Sequence, residues 1–275
     1  MTTPAASPDV SARLEAALEA ARLAAAETLR WFGTATLAVE EKADASPVTV
    51  ADRAAEAVLR RTLLDAFPHD AFLGEETGAT PGTSGYEWVV DPIDGTKSFI
   101  HGVPLYATLV GCRRGDAGVL GVIACPALDE WVYAAAGGGA WYVAGNAAPV
   151  AARVSRRVRP AEGLACSSDF TSFARWSGGQ AAGDAARTRV ERAFRIARTW
   201  GDGYGYLLVA TGRADAMIDP LMNRWDAAAV ETVIIEAGGR YTDWHGRPRI
   251  DSGDGLATNG LVHDAVVALL TGGPA

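Results

Sequence analysis

The chain has 275 residues, of which 49% are hydrophobic, enough to bury a full core, and its 25 basic and 33 acidic residues give a formal charge of −8. That balance excludes broad attraction to nucleic acid or to an anionic membrane, and no apolar run is long enough to span a bilayer. Cys112, Cys125 and Cys166 are odd in number and embedded in apolar stretches, which points to buried thiols in a reducing cytoplasm and not to a disulfide framework.

Ser7-Pro8 predicts an N-cap with proline in the first turn, and Val10, Leu14, Leu18, Ala21, Ala25 and Leu29 recur at helical spacing as far as Phe32. Lys42 reads as a solvated loop lysine. A second helix opens at Thr49, where Thr49 and Asp52 form a capping-box pair, and Val58, Leu59 and Leu63 give it an apolar side before Pro68 stops it. Ala71-Phe72-Leu73 and Trp88-Val89-Val90 read as short strands that run directly into carboxylates, Glu75-Glu76 and Asp91. From Leu105 to Val143, four apolar runs separated by Gly-, Pro- and Asp-containing turns predict an antiparallel meander. The stretch from Ala147 to Pro160 is the candidate junction between an N-terminal half, residues 1–150, and a C-terminal half, residues 151–275. Beyond it strands at 163–168, 194–199 and 214–219 alternate with helices at Gly203 to Ala210, Asp226 to Ala237 and Leu261 to Leu270.

The strongest chemical signal is W-V-V-D-P-I-D-G-T-K-S-F, Trp88 to Phe99. Asp91 and Asp94, three residues apart around Pro92, can point the same way from a strand-to-helix turn, and hard oxygen ligands so grouped favour magnesium. Gly95-Thr96 lets the backbone approach a ligand closely, and a helix starting there would turn free N–H groups toward phosphate oxygens. A bare D-x-x-D-G is better explained as a turn with capping aspartates. The argument for a site is the company of other acids at element ends: Glu75 after a strand, Asp52 and Asp226 in helical first turns.

Together with S-P-V-T-V-A-D (46–52), G-E-E (74–76), V-A-T-G-R-A-D-A (209–216), W-D-A-A-A (225–229), E-A-G-G (236–239) and A-T-N-G (257–260), this segment resembles the inositol monophosphatase superfamily nearly end to end. Those proteins are lithium-sensitive, magnesium-dependent phosphomonoesterases. The resemblance implies an α+β fold, the layered α/β/α/β/α sandwich of the sugar phosphatases, as a homodimer. It implies that Glu75, Asp91 and the carbonyl of Ile93 hold one Mg2+, that Asp91, Asp94 and Asp226 hold a second, and that a third lies loosely near Glu75. The catalytic group by resemblance is Glu75, Asp52 and Thr96, with Asp52 and Thr96 orienting the attacking water and the N–H groups of Gly95 and Thr96 gripping phosphate.

Within the superfamily the second half most resembles the histidinol-phosphate phosphatases, through A-R-T-W-G-D-G-Y-G-Y (197–206). Asp202 supplies a charge that an uncharged polyol does not need, and Asp219 stands where relatives place a substrate-binding acid. Together they would attract the cationic end of histidinol phosphate. The expected activity is hydrolysis of L-histidinol phosphate to L-histidinol and phosphate in histidine biosynthesis, by a cytoplasmic enzyme with a small-molecule substrate and no nucleic-acid or membrane partner. Asp202 as a plain helix cap stays open, as does the choice between stacking and packing for Tyr204 and Tyr206. Two other functions also stay open: an inositol monophosphatase or broad sugar-phosphate phosphatase, and a catalytically silent binding module.

Overall fold

The computed structural model describes residues 7–34, 39–41 and 47–273, so Lys42 and Ser46 fall outside the described residues. Helix α1 (Pro8–Leu29) starts where Ser7 Oγ accepts from the Val10 amide. The helical spacing that continues to Phe32 does not keep the backbone helical that far. Phe32 N–H bonds back to the Thr28 carbonyl, and the turn swings the Phe32 ring onto Phe99 and Tyr106, with centroids 5.7 and 5.2 Å apart.

A short antiparallel pair, β1 (Val39–Glu41) and β2 (Pro47–Thr49), leads into α2 (Val50–Ala66). Then come β3 (Ala71–Gly74), β4 (Gly78–Thr80), β5 (Tyr86–Asp94), the single-turn α3 (Thr96–Ile100) and the expected meander of β6 (Ala107–Arg114), β7 (Ala117–Cys125), β8 (Glu130–Ala135) and β9 (Gly139–Ala144), with β10 (Val150–Ala151) at its edge. These form one eight-stranded sheet in the order β10-β9-β8-β7-β6-β5-β3-β4, antiparallel except for the parallel pair β3 and β5.

The second half contributes β11 (Leu164–Cys166), α4 (Gln180–Ala193), β12 (Ile196–Arg198), α5 (Gly203–Ala210), β13 (Ala216–Asp219), α6 (Arg224–Glu236), β14 (Arg240–Thr242), β15 (Gly255–Thr258) and α7 (His263–Thr271). Its strands make a mixed sheet ordered β12-β11-β13-β15-β14. Helix α4 carries no broad apolar stripe: only Gly183, Ala186 and Val190 are buried. Such a thin seam on a polar helix escapes hydrophobic periodicity, so the sequence gives no signal of α4.

Alternation along β5 accounts for the layering. Trp88 and Val90 pack with α1 and α2 on one face of the large sheet, whereas Val89 packs on the other face against α5 and α6. Met217, Tyr241 and Ala257 of the small sheet join that second cluster, and the far side of the small sheet, with Ala216, Ile218 and Leu256, is covered by α4 and α7. The result is the α/β/α/β/α sandwich. At its centre α6 lies close on the large sheet, because Gly111 and Gly121, paired across β6 and β7, have no side chains where Ala228 and Ala229 approach. At the other end of α6, Glu236 accepts from the amides of Gly137 and Gly139 at 2.8 Å, fixing the helix to the β8–β9 turn. Cys112, Cys125 and Cys166 are free and buried. Among the described residues no helix is long and apolar enough to cross a membrane.

Candidate active site

Pairing in the large sheet brings the first acids together. Gly74 of β3 is in parallel register with Val90 of β5, and Glu75 N–H donates to the Val90 carbonyl, so Glu75 and Asp91 emerge side by side. After burial, the charge of Glu75 is the largest cause that pushes the Asp91 carboxyl up.

Asp91 and Asp94 share a face by a different means from the turn the sequence suggested. The strand continues through both, but Asp91 pairs with Leu109 and Asp94 with Ala107, so three steps along β5 match two along β6. The extra residue is a β-bulge, and it converts an odd separation, which would point the two side chains apart, into an even one. Pro92, with no N–H to leave unpaired, suits that position, and its carbonyl accepts from Thr108 Oγ1 at 2.8 Å. Ile93 N–H donates to Asp91 Oδ1 at 3.0 Å, and the buried Ile93 has its carbonyl bonded by Thr96 Oγ1 at 3.2 Å. Gly95 follows with φ +88°, a left-handed conformation that costs a side-chain-free residue nothing.

From the other half, α6 delivers Asp226. It occupies the third helical position, and its Oδ2 accepts from Asn223 N at 2.7 Å in a capping box. Asp226 is therefore a cap and also a member of the cluster: Asp91, Asp94 and Asp226 each present a carboxylate oxygen, all within 4.8 Å of one another. Asp52 is held alike at the start of α2. Thr49 N and Thr49 Oγ1 donate to its Oδ2 at 2.7 and 2.6 Å, while Oδ1 is buried and has no partner. A buried carboxylate oxygen left bare costs a few kcal/mol unless something else meets it.

Burial is the first cause, and repulsion by neighbouring acids the second, of raised pKa values across the cluster. Asp91 and Asp94 are pushed well above the ordinary carboxylate range, Asp226 is pushed up to about 7, and Asp52 is raised too, chiefly by burial. An all-oxygen, anionic, crowded donor set is what a hard divalent cation neutralises, so Asp91, Asp94 and Asp226 fit such an ion, and Glu75 stands next to Asp91 outside that group.

Next to these acids opens a cleft of about 410 Å³ lined by Glu75, Gly95, Thr96, Lys97, Ser168, Arg175, Asp202 and Asp219, among others. Asp202 precedes α5, yet its side chain makes no capping bond there. It sits instead against Gly95, where a Cβ would meet its Oδ2 at 2.5 Å, and burial raises its pKa against the lowering effect of the Ser168 side chain. Asp219 ends β13, accepting from Ser168 N at 2.8 Å and from Tyr206 Oη at 2.9 Å, and burial pushes it up to about 6. Tyr206 is thus a buried packing residue that orients Asp219, while Tyr204 is only partly buried. Ser168, which contacts both acids, was missed. Its only sequence signal was a serine pair directly after the apolar run of β11, at the carboxyl end of a strand where sites are commonly built. Asp215, by contrast, lies away from the cluster and serves structure, accepting from Leu164 N at 2.8 Å.

The inositol monophosphatase family profile matches residues 9–271. The chain belongs to the inositol monophosphatase family. It is a phosphoric monoester hydrolase. A histidinol-phosphatase of Chlorobaculum parvum is 40% identical over 261 residues, covering 94% of this chain and 97% of that protein. A histidinol-phosphatase of Mycobacterium tuberculosis is 39% identical, covering 88% of this chain and 91% of its own. Among solved structures, the extragenic suppressor protein suhB of Bartonella henselae superposes with a TM-score of 0.84 at 29% identity, covering 96% of this chain and all of that one. Members of the family are thus similar to this chain in sequence and in the layered fold.

Proposed function

We propose that this family member is a magnesium-dependent phosphatase that hydrolyses L-histidinol phosphate to L-histidinol and phosphate. The observation that carries the reading is the convergence of Asp91, Asp94 and Asp226 within 4.8 Å beside a cleft walled by two further acids, Asp202 and Asp219. Phosphate and a cationic amine need opposite surroundings, and a small pocket lined by Asp94, Asp226, Asp202 and Asp219 supports the reading that the proposed cation site adjoins the acidic wall.

Magnesium, when bound, would lower the pKa of the attacking water and stabilise charge on the phosphoryl oxygens. Glu75, Asp91, the Ile93 carbonyl, Asp94 and Asp226 would hold it, in two or three ions. The N–H groups of Gly95 and Thr96 hold the phosphoryl oxygens, and Asp52 Oδ1 with Thr96 Oγ1 orients the water. Asp202, which lines the cleft and has no capping duty, meets the ammonium or imidazolium of the substrate, and Asp219 adds to the same negative field. Both halves of the chain, 1–150 and 151–275, contribute. The same reading takes the enzyme to be a cytoplasmic homodimer serving histidine biosynthesis.

A second reading has one observation in its favour: an inositol-1-monophosphatase of Mesorhizobium japonicum is 33% identical and covers 94% of this chain. Phosphate release from histidinol phosphate and from inositol monophosphate, measured side by side with and without magnesium, separates the two. The proposal expects preference for histidinol phosphate and loss of turnover after chelation. Preference for inositol monophosphate would replace it with the second reading, and no hydrolysis of any phosphomonoester would make the protein a silent binding module.

A further inference from the structure

Helix α2 carries a second buried acid one turn beyond Asp52. Glu56 is fully buried, and its carboxylate does not point at the cluster. Oε2 accepts from Glu76 N and Oε1 from Thr77 N, both at 2.8 Å. On the other side of Glu75, Gly74 lies so close that a Cβ there would come within 2.5 Å of the Glu56 carboxyl carbon. The backbone before and after Glu75 therefore wraps around this one carboxylate.

We propose that Glu56 is a positioning residue for Glu75, acting through the backbone of the turn 74–77; the proposal rests on the reading of the acidic cluster as a cation site. Two parallel N–H donors demand two acceptors, which a carboxylate supplies and an amide does not. Asp52 and Glu56 are spaced i, i+4 and so share a face of α2. One rigid helix thus sets both the position of Asp52 and the path of the chain through Glu75. A loop left to itself would not keep that relation, and partners of metal ligands typically govern affinity or activity by about 10- to 100-fold.

The test uses the full chain with Glu56→Gln and Glu56→Asp. Gln keeps one acceptor but turns an NH2 against an amide N–H, and Asp keeps both acceptors one methylene short. Magnesium alone is titrated calorimetrically, and activity is measured against magnesium concentration. E56Q is expected to raise the magnesium midpoint tenfold or more, with kcat at saturating magnesium reduced less than threefold, and E56D to fall between E56Q and the parent. A folded E56Q with lowered thermal stability but a magnesium midpoint within twofold of the parent overturns the proposal, since a merely structural role would do that. Where E56Q does not fold, E56D is judged by the same twofold limit. The metal-free parent supplies an independent reading: the amides of Glu76 and Thr77 are expected to resist hydrogen exchange as β5 amides do, and exchange at loop rates overturns the proposal. A parent that takes up no magnesium sinks the cation site itself, whereas equal uptake by parent and E56Q sinks only the role of Glu56.

Discussion

Replacing Gly121 by alanine tests whether the close seating of α6 on the large sheet sets the site as well as the core. A methyl group at Gly121 would lie 2.9 Å from the Ala229 carbonyl carbon and 3.1 Å from its Cα, and closer still to the carbonyl oxygen. Carbon atoms prefer about 3.5–4.0 Å, so α6 must retreat by roughly 1 Å. The obstacle is helix backbone, which has no rotamer to escape into, so the cost belongs at the upper end of overpacking, about 3 kcal/mol. Asp226, a ligand of the proposed cation site, is in the first turn of the same helix, and metal–ligand distances hold only to within about 0.2 Å. G121A is therefore expected to lose about 3 kcal/mol in urea unfolding and to need at least tenfold more magnesium for half-maximal activity. A variant within about 0.5 kcal/mol of the parent, with its magnesium requirement intact, would refute the claim that this contact places Asp226.

Asp202→Asn is expected to lower kcat/KM for histidinol phosphate roughly 10- to 100-fold, the worth of one charge-assisted hydrogen bond, and to change turnover of inositol monophosphate less than twofold; steady-state kinetics on both substrates checks this. Thr49→Ala removes the hydroxyl that donates to Asp52 Oδ2 and caps α2, so it is expected to cost about 1 kcal/mol of stability and to slow kcat several-fold at saturating magnesium. His263 is buried between the hydroxyls of Thr242 and Thr258, and burial holds its pKa down to about 4. A depressed histidine stabilises the fold fully above its unfolded value near 6.5 and loses that contribution as pH falls toward 4. Up to about 3 kcal/mol is lost across that window, and His263→Gln lacks this part of the acid slope in urea unfolding followed from pH 7 to pH 4.

Much of the architecture was legible because it rests on local rules. Short apolar runs ending in acids or turn residues marked β5 and the meander, the capping pair Thr49 and Asp52 marked the start of α2, and Gly203 to Ala210 form α5 with the expected bounds. The acids at element ends were legible because a strand or helix end is a local event. The polar helix α4 was not, since its buried seam of three small or β-branched residues gains meaning only from α7 and the aromatic residues it covers.

By itself the sequence determined the family to which the chain belongs, most of its elements, and which acids are the candidates for the chemistry. Only the tertiary structure decided that a bulge, not a turn, aligns Asp91 with Asp94, that Asp226 caps and clusters at once, that Asp202 caps nothing, and that Glu56 grips the backbone beside Glu75. Each of these depends on where a second element lies, and the spacing of residues along one segment holds no information about the distance to another.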